Sequence, residues 1–127
     1  MQLEKQVVSL ELAKRLDELK VKQVSHFWWC QHDHEMYELE CGDECSDSIG
    51  GHSAFTVAEL GNLLPKELKL DKAYDLNISF GYAKWVVAFV DRSDGYAVQY
   101  QEVADTEADA RAKTLVYLLE NKLITIS

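Results

Sequence analysis

In "LELAKRLDELK", Leu12, Leu16 and Leu19 return at the three- and four-residue intervals of one helical face, while Glu11, Lys14, Arg15 and Glu18 take the other side. This spacing predicts a helix over 9–20 with Ser9 at its N-cap. The period then changes. "HFWWC" predicts a short aromatic strand and "MYELE" a second, followed by a polar loop that Gly50 and Gly51 close. Thr56 and Glu59 stand three apart as a capping box at the head of "TVAELGNLL", and Pro65 ends that short helix.

Further on, Leu76, Ile78, Phe80 and Tyr82 alternate with small or polar residues, the period of a half-buried strand. "WVVAFV" at 85–90 is apolar throughout and predicts the central strand. Asp94 and Gly95 supply a hairpin turn into "YAVQYQEV", on which Tyr96, Val98 and Tyr100 should share a face. Thr106 caps a predicted helix over 106–122 with a stripe of Ala108, Ala112, Leu115, Val116, Leu119 and Leu123. The connections within 76–103 are too short for parallel crossovers. The expectation is an α+β fold: an antiparallel sheet of three to five strands packed with N- and C-terminal helices.

Composition narrows the setting. The 127 residues are 47% hydrophobic and 28% charged, enough for one domain over 1–127 with a core of its own. No apolar run approaches the roughly 20 residues of a membrane span, and "MQLEKQ" lacks a signal peptide's apolar segment. Three cysteines, an odd number, fit a reducing compartment, so a cytoplasmic location is expected.

The net charge of -9 is unevenly placed. Between Gln23 and Pro65 there is no Lys or Arg, while Asp33, Glu35, Glu38, Glu40, Asp43, Glu44, Asp47 and Glu59 are all acidic. Such a surface repels a phosphate backbone, which argues against direct nucleic-acid binding. It suits a basic protein surface or a divalent cation, or it serves only as a solvated acidic face.

Every histidine and cysteine of the chain lies in this acidic stretch, as His26, Cys30, His32, His34, Cys41, Cys45 and His52. Zinc takes four such ligands, commonly as two close pairs, and Cys30, His32, Cys41 and Cys45 offer that pattern. The Cys-x-x-x-Cys spacing is less diagnostic than a Cys-x-x-Cys knuckle, so the first expectation is an acidic Cys/His-rich loop region near 31–52 without a cofactor. Structural zinc is the alternative.

Catalytic patterns are thin. Cys30 with His32 or His52 could form a nucleophile and base, but surrounding carboxylates raise a thiol's pKa. Glu107 and Asp109 form a carboxylate pair, yet acids on a helix's first turn are expected from the macrodipole alone. No enzyme activity is expected. Trp28 and Trp29, adjacent on a strand, should point to opposite faces. Phe27, Trp28, Trp29 and Tyr37 beside Glu38, Glu40, Asp43 and Glu44 form the expected interaction surface, since Trp and Tyr are common binding anchors.

Three segments carry a resemblance: "SLELAKRLDELKVKQVSHFWW", "SAFTVAELGNLLP" and "TEADARAKTLVYLLENKLI". Together they resemble small uncharacterised proteins of gut-anaerobe genomes, prophages and other mobile elements. The order of helix, antiparallel strands and C-terminal helix is more distantly similar to phage domains built as a helix-sheet-helix sandwich. The resemblance implies a mobile-element setting and no reaction. The expected function is therefore binding of a host or phage protein, as an inhibitor or nucleic-acid mimic. The alternative is a metal-stabilised or small-ligand-binding domain centred on the Cys/His-rich stretch.

Overall fold

The computed structural model describes residues 2–45 and 48–125; Asp47 of the acidic stretch lies outside them. A 3₁₀ turn at Leu3–Lys5 leads into α1 (Leu10–Glu18). Then come β1 (Phe27–Gln31), β2 (Tyr37–Cys41) and β3 (Gly50–Ser53). After α2 (Val57–Leu63) the chain runs through β4 (Glu67–Lys69), β5 (Ala73–Gly81), β6 (Lys84–Asp91) and β7 (Ala97–Ala104) to α3 (Glu107–Glu120). The α+β class, the terminal helices and the antiparallel pairing are as the periodicities predict.

The strands form two sheets: a three-stranded one in the order β2-β1-β3 and a four-stranded one in the order β4-β5-β6-β7. Gly50 and Gly51 open β3 instead of merely closing a loop, pairing with Gln31 and Cys30. Local periodicity reports strand character, and which strands share a ladder is decided by tertiary packing.

Both helix starts show why the sequence stops and starts where it does. Thr56 Oγ1 accepts the Glu59 amide at 3.2 Å while Glu59 Oε1 accepts the Thr56 amide at 2.9 Å, a complete capping box. Ser9 is the N-cap of α1 but makes no side-chain cap; its own N–H donates to Asp109 Oδ1 at 2.8 Å, tying α1 to the first turn of α3. The buried face of α3 comprises Ala108, Ala110, Ala112, Thr114, Leu115 and Leu118, so the stripe sits partly off the predicted one. Thr114 is tolerated there because its hydroxyl donates back to the Ala110 carbonyl at 2.9 Å.

The core joins Leu16 of α1, Phe55, Leu60 of α2, Phe89 of β6 and Leu115 and Leu118 of α3. On β5–β6, Leu76 faces Phe89, Ile78 faces Val87 and Phe80 faces Trp85. Tyr82 is not part of that strand: with Ala83 it forms the turn, at φ 54° and 61°. A bulge in β6–β7 breaks the alternation, since Tyr100 pairs with Phe89 but Val98 with Val90. Tyr100 therefore points to the core side, stacked on Tyr117 with ring centroids 3.7 Å apart, while Val98 is exposed on the other face.

Candidate recognition face

The three-stranded sheet sorts the Cys/His-rich stretch by register. Trp29 pairs with Leu39 and His52, and Trp28 with Glu40 and Ser53. Because partners across a ladder share a face and neighbours along a strand do not, the two indoles lie on opposite sides.

The Trp29 side packs inward. Its Nε1–H donates to the Val8 carbonyl at 2.9 Å. Tyr37 stacks on His52, with Lys14 Nζ of α1 lying 4.7 Å from the Tyr37 ring centroid. His52 Nδ1 in turn meets Asp17 of α1 at 2.8 Å. Phe27, Trp29 and Tyr37 are thus committed to the fold side of the sheet.

The other side gathers Trp28, Cys30, Glu38, Glu40 and Ser53. His32, two residues beyond Cys30, brings Nε2 to 2.5 Å from Glu40 and 3.8 Å from Glu38. These three donor atoms lie within 4.8 Å of one another, a spacing a divalent cation can span. Trp28 Nε1 and Ser53 Oγ are buried with no hydrogen-bond partner among the described residues. Each such atom costs roughly 1–3 kcal/mol.

A disulfide joins Cys30 to Cys45, with Cα atoms 5.5 Å apart. It draws the loop bearing the exposed Asp43 and Glu44 onto the Trp28 side. Gly51, opposite Cys30, is what lets Cys45 in: a Cβ there would meet Cys45 Sγ and stand 2.7 Å from the Trp29 carbonyl oxygen.

The four residues considered for zinc are not gathered round one point. Cys30 and Cys45 are bonded to each other and offer no thiolate, and exposed Cys41 pairs with Phe27 on the opposite face. His32 keeps carboxylate neighbours instead. The disulfide likewise removes Cys30 as a nucleophile and removes the odd cysteine count as an argument for a reducing compartment. Glu107 and Asp109 hold structure: Glu107 accepts from Arg111 Nε at 2.9 Å, and Asp109 accepts from Ser9. No helix among the described residues is long and apolar enough to cross a membrane.

The disulfide was missed from sequence, and the divalent cation that His32, His34 and the surrounding carboxylates suit was not narrowed to His32, Glu38 and Glu40. The alternation of Cys30 with His32 and of Glu38 with Glu40 carried the second signal, once both segments were read as paired strands. No family model, no curated protein and no solved structure matches the chain.

Proposed function

We propose that the protein is a binding module that recognises a basic protein surface through the Trp28 side of its three-stranded sheet. The observation that carries this reading is the convergence of Trp28, Glu38 and Glu40 on one face, with Asp43 and Glu44 held beside them by the Cys30–Cys45 bond. Carboxylates steer a cationic partner into place, and the partly buried indole of Trp28 supplies the apolar anchor that such contacts need. The bond and the ladder fix these groups before binding, so little ordering entropy is lost on association.

The mobile-element resemblance makes a host protein the expected partner, and the acid surface would stand in for nucleic-acid charge. No reaction, no membrane and no direct nucleic-acid contact belong to this reading. Capture from host lysate should be run with the wild-type protein and with Trp28→Ala and Glu38→Gln/Glu40→Gln variants. A partner held by the wild type, released by raised salt and lost from both variants is the expected result. Equal retention by all three proteins would discard the face.

A second reading rests on the three donor atoms of His32, Glu38 and Glu40: one imidazole nitrogen with two carboxylates suits a divalent cation of the manganese or iron class. Calorimetry with each ion, repeated on Glu38→Gln/Glu40→Gln, separates the two. Ion binding that the variant abolishes supports it, and heats indistinguishable from dilution reject it.

A further inference from the structure

A cavity of about 290 Å³ opens on another side of the molecule, where the Leu3–Lys5 turn, the first residue of β1, the start of α2, Trp85 of β6 and the β7–α3 connection meet. We propose that this cleft binds a small amphipathic carboxylate, a molecule with an aromatic or short-chain apolar body and a single negative head. The site shares no outward residue with the recognition face and stands or falls independently of it.

Size and wall chemistry set the body. Leu3, Phe27, Val57 and Trp85 form apolar walls, and the volume of about 290 Å³ lies just under the roughly 300–1,000 Å³ typical of ligand pockets. That admits one ring or a short chain and excludes a nucleotide. Trp85 also packs on Phe80, with centroids 5.1 Å apart, so the wall is held in place before any ligand arrives.

Charge sets the head. Asp105 is already paired with Lys84, which holds its carboxyl below the ordinary carboxylate range. Glu107 is paired with Arg111 at 2.5 Å. Lys5 lines the same cavity and makes no ion pair among the described residues. A cation with no ion pair among the described residues, beside apolar walls and two carboxylates already paired elsewhere, is complementary to one anion. Thr56 and Thr106 also line the cleft. Each spends its hydroxyl oxygen accepting a helix amide, from Glu59 and Asp109, and keeps its hydroxyl hydrogen to donate to a carboxylate.

The test uses three probes of one shape: 3-phenylpropionate, 3-phenylpropanol and 3-phenylpropylamine, titrated into isotope-labelled protein and followed by amide shifts. The carboxylate should saturate with a Kd on the order of 1 mM or below. Its shifts should be confined to residues 3–6, 27, 56–58, 85 and 105–107. The alcohol should bind more weakly and the amine more weakly still. Lys5→Met, at an exposed position, should cost the carboxylate about five- to tenfold while leaving the alcohol unchanged. Ala58→Leu, which crowds the rim from another exposed position, should weaken all three probes. Equal affinity for the three, an unchanged carboxylate Kd in Lys5→Met, shifts centred elsewhere, or no shift at 10-fold the expected Kd would each overturn the proposal.

Discussion

Leu115 and Val87 are both fully buried, the first among the helices and the second between β5 and β7. Leu115→Ala should lower unfolding stability by about 3 kcal/mol, because lost transfer energy adds to a residual cavity, and Val87→Ala by less. Urea midpoints of the two variants check this, and unchanged midpoints would contradict the assigned faces. The β5–β6 turn points the other way. Tyr82 and Ala83 both sit at positive φ, where an L side chain costs roughly 1–2 kcal/mol per residue. Tyr82→Asn with Ala83→Gly should raise the melting temperature, since that pair fits a two-residue hairpin turn. Asp91 supplies a pH test. The Ser93 hydroxyl, with Lys72 Nζ 3.3 Å away, holds its carboxyl below the ordinary 3.8. The folded state therefore binds fewer protons there than the unfolded chain. The stabilisation is full above about pH 4 and is lost as pH falls through the lowered value. Asp91→Asn should be less stable than the wild type at pH 7, and the gap should close in acid; a gap constant down to pH 2 would reject the account.

Among the elements, the Cys30–Cys45 bond spans 15 residues, a loop for which chain entropy gives about 3 kcal/mol of stabilisation. Reductant, or a Cys30→Ser/Cys45→Ser variant, should lower the melting temperature by several degrees, whereas chelator alone should leave the oxidised protein unchanged. A chelator effect reversed by zinc would restore the metal reading. This pairing was not legible in the sequence because three cysteines permit several partners. The one realised depends on β3 returning along β1 and on Gly51 leaving room. The capping box at Thr56, the terminal helices and the "WVVAFV" strand were legible, each carrying its signal within a few neighbouring residues. The β7 bulge was not: one unpaired position reverses every later face, and Tyr96, Val98 and Tyr100 look uniform until Phe89 and Val90 are placed opposite them. For the same reason the eight residues expected to form one contact surface divide. Phe27, Trp29 and Tyr37 face inward, while Trp28 keeps company with Glu38 and Glu40.

Across the whole molecule, the described part of the acid-rich segment supplies the three-stranded sheet and α2, and every Lys and Arg lies in the rest of the chain. The asymmetry visible in the sequence is therefore also one of space, and α1 stands at the boundary with Lys14 over Tyr37 and Asp17 against His52. The same helix is tied to α3 by the Ser9–Asp109 bond and by Arg15 to Glu120 at 3.2 Å. These partners are separated by 100 and 105 positions. On a ribosome adding roughly 5–20 residues per second, Asp109 is made about 5–20 s after Ser9. During that interval the apolar stripe of the first helix lacks its α3 partner, and a partly covered stripe is what chaperones engage on emerging chains. Arrested chains ending before residue 105 should be cut by protease within residues 10–18, and chains carrying all of α3 beyond the exit tunnel should resist. Equal resistance in both would mean that α1 completes its docking without waiting for the far end of the chain.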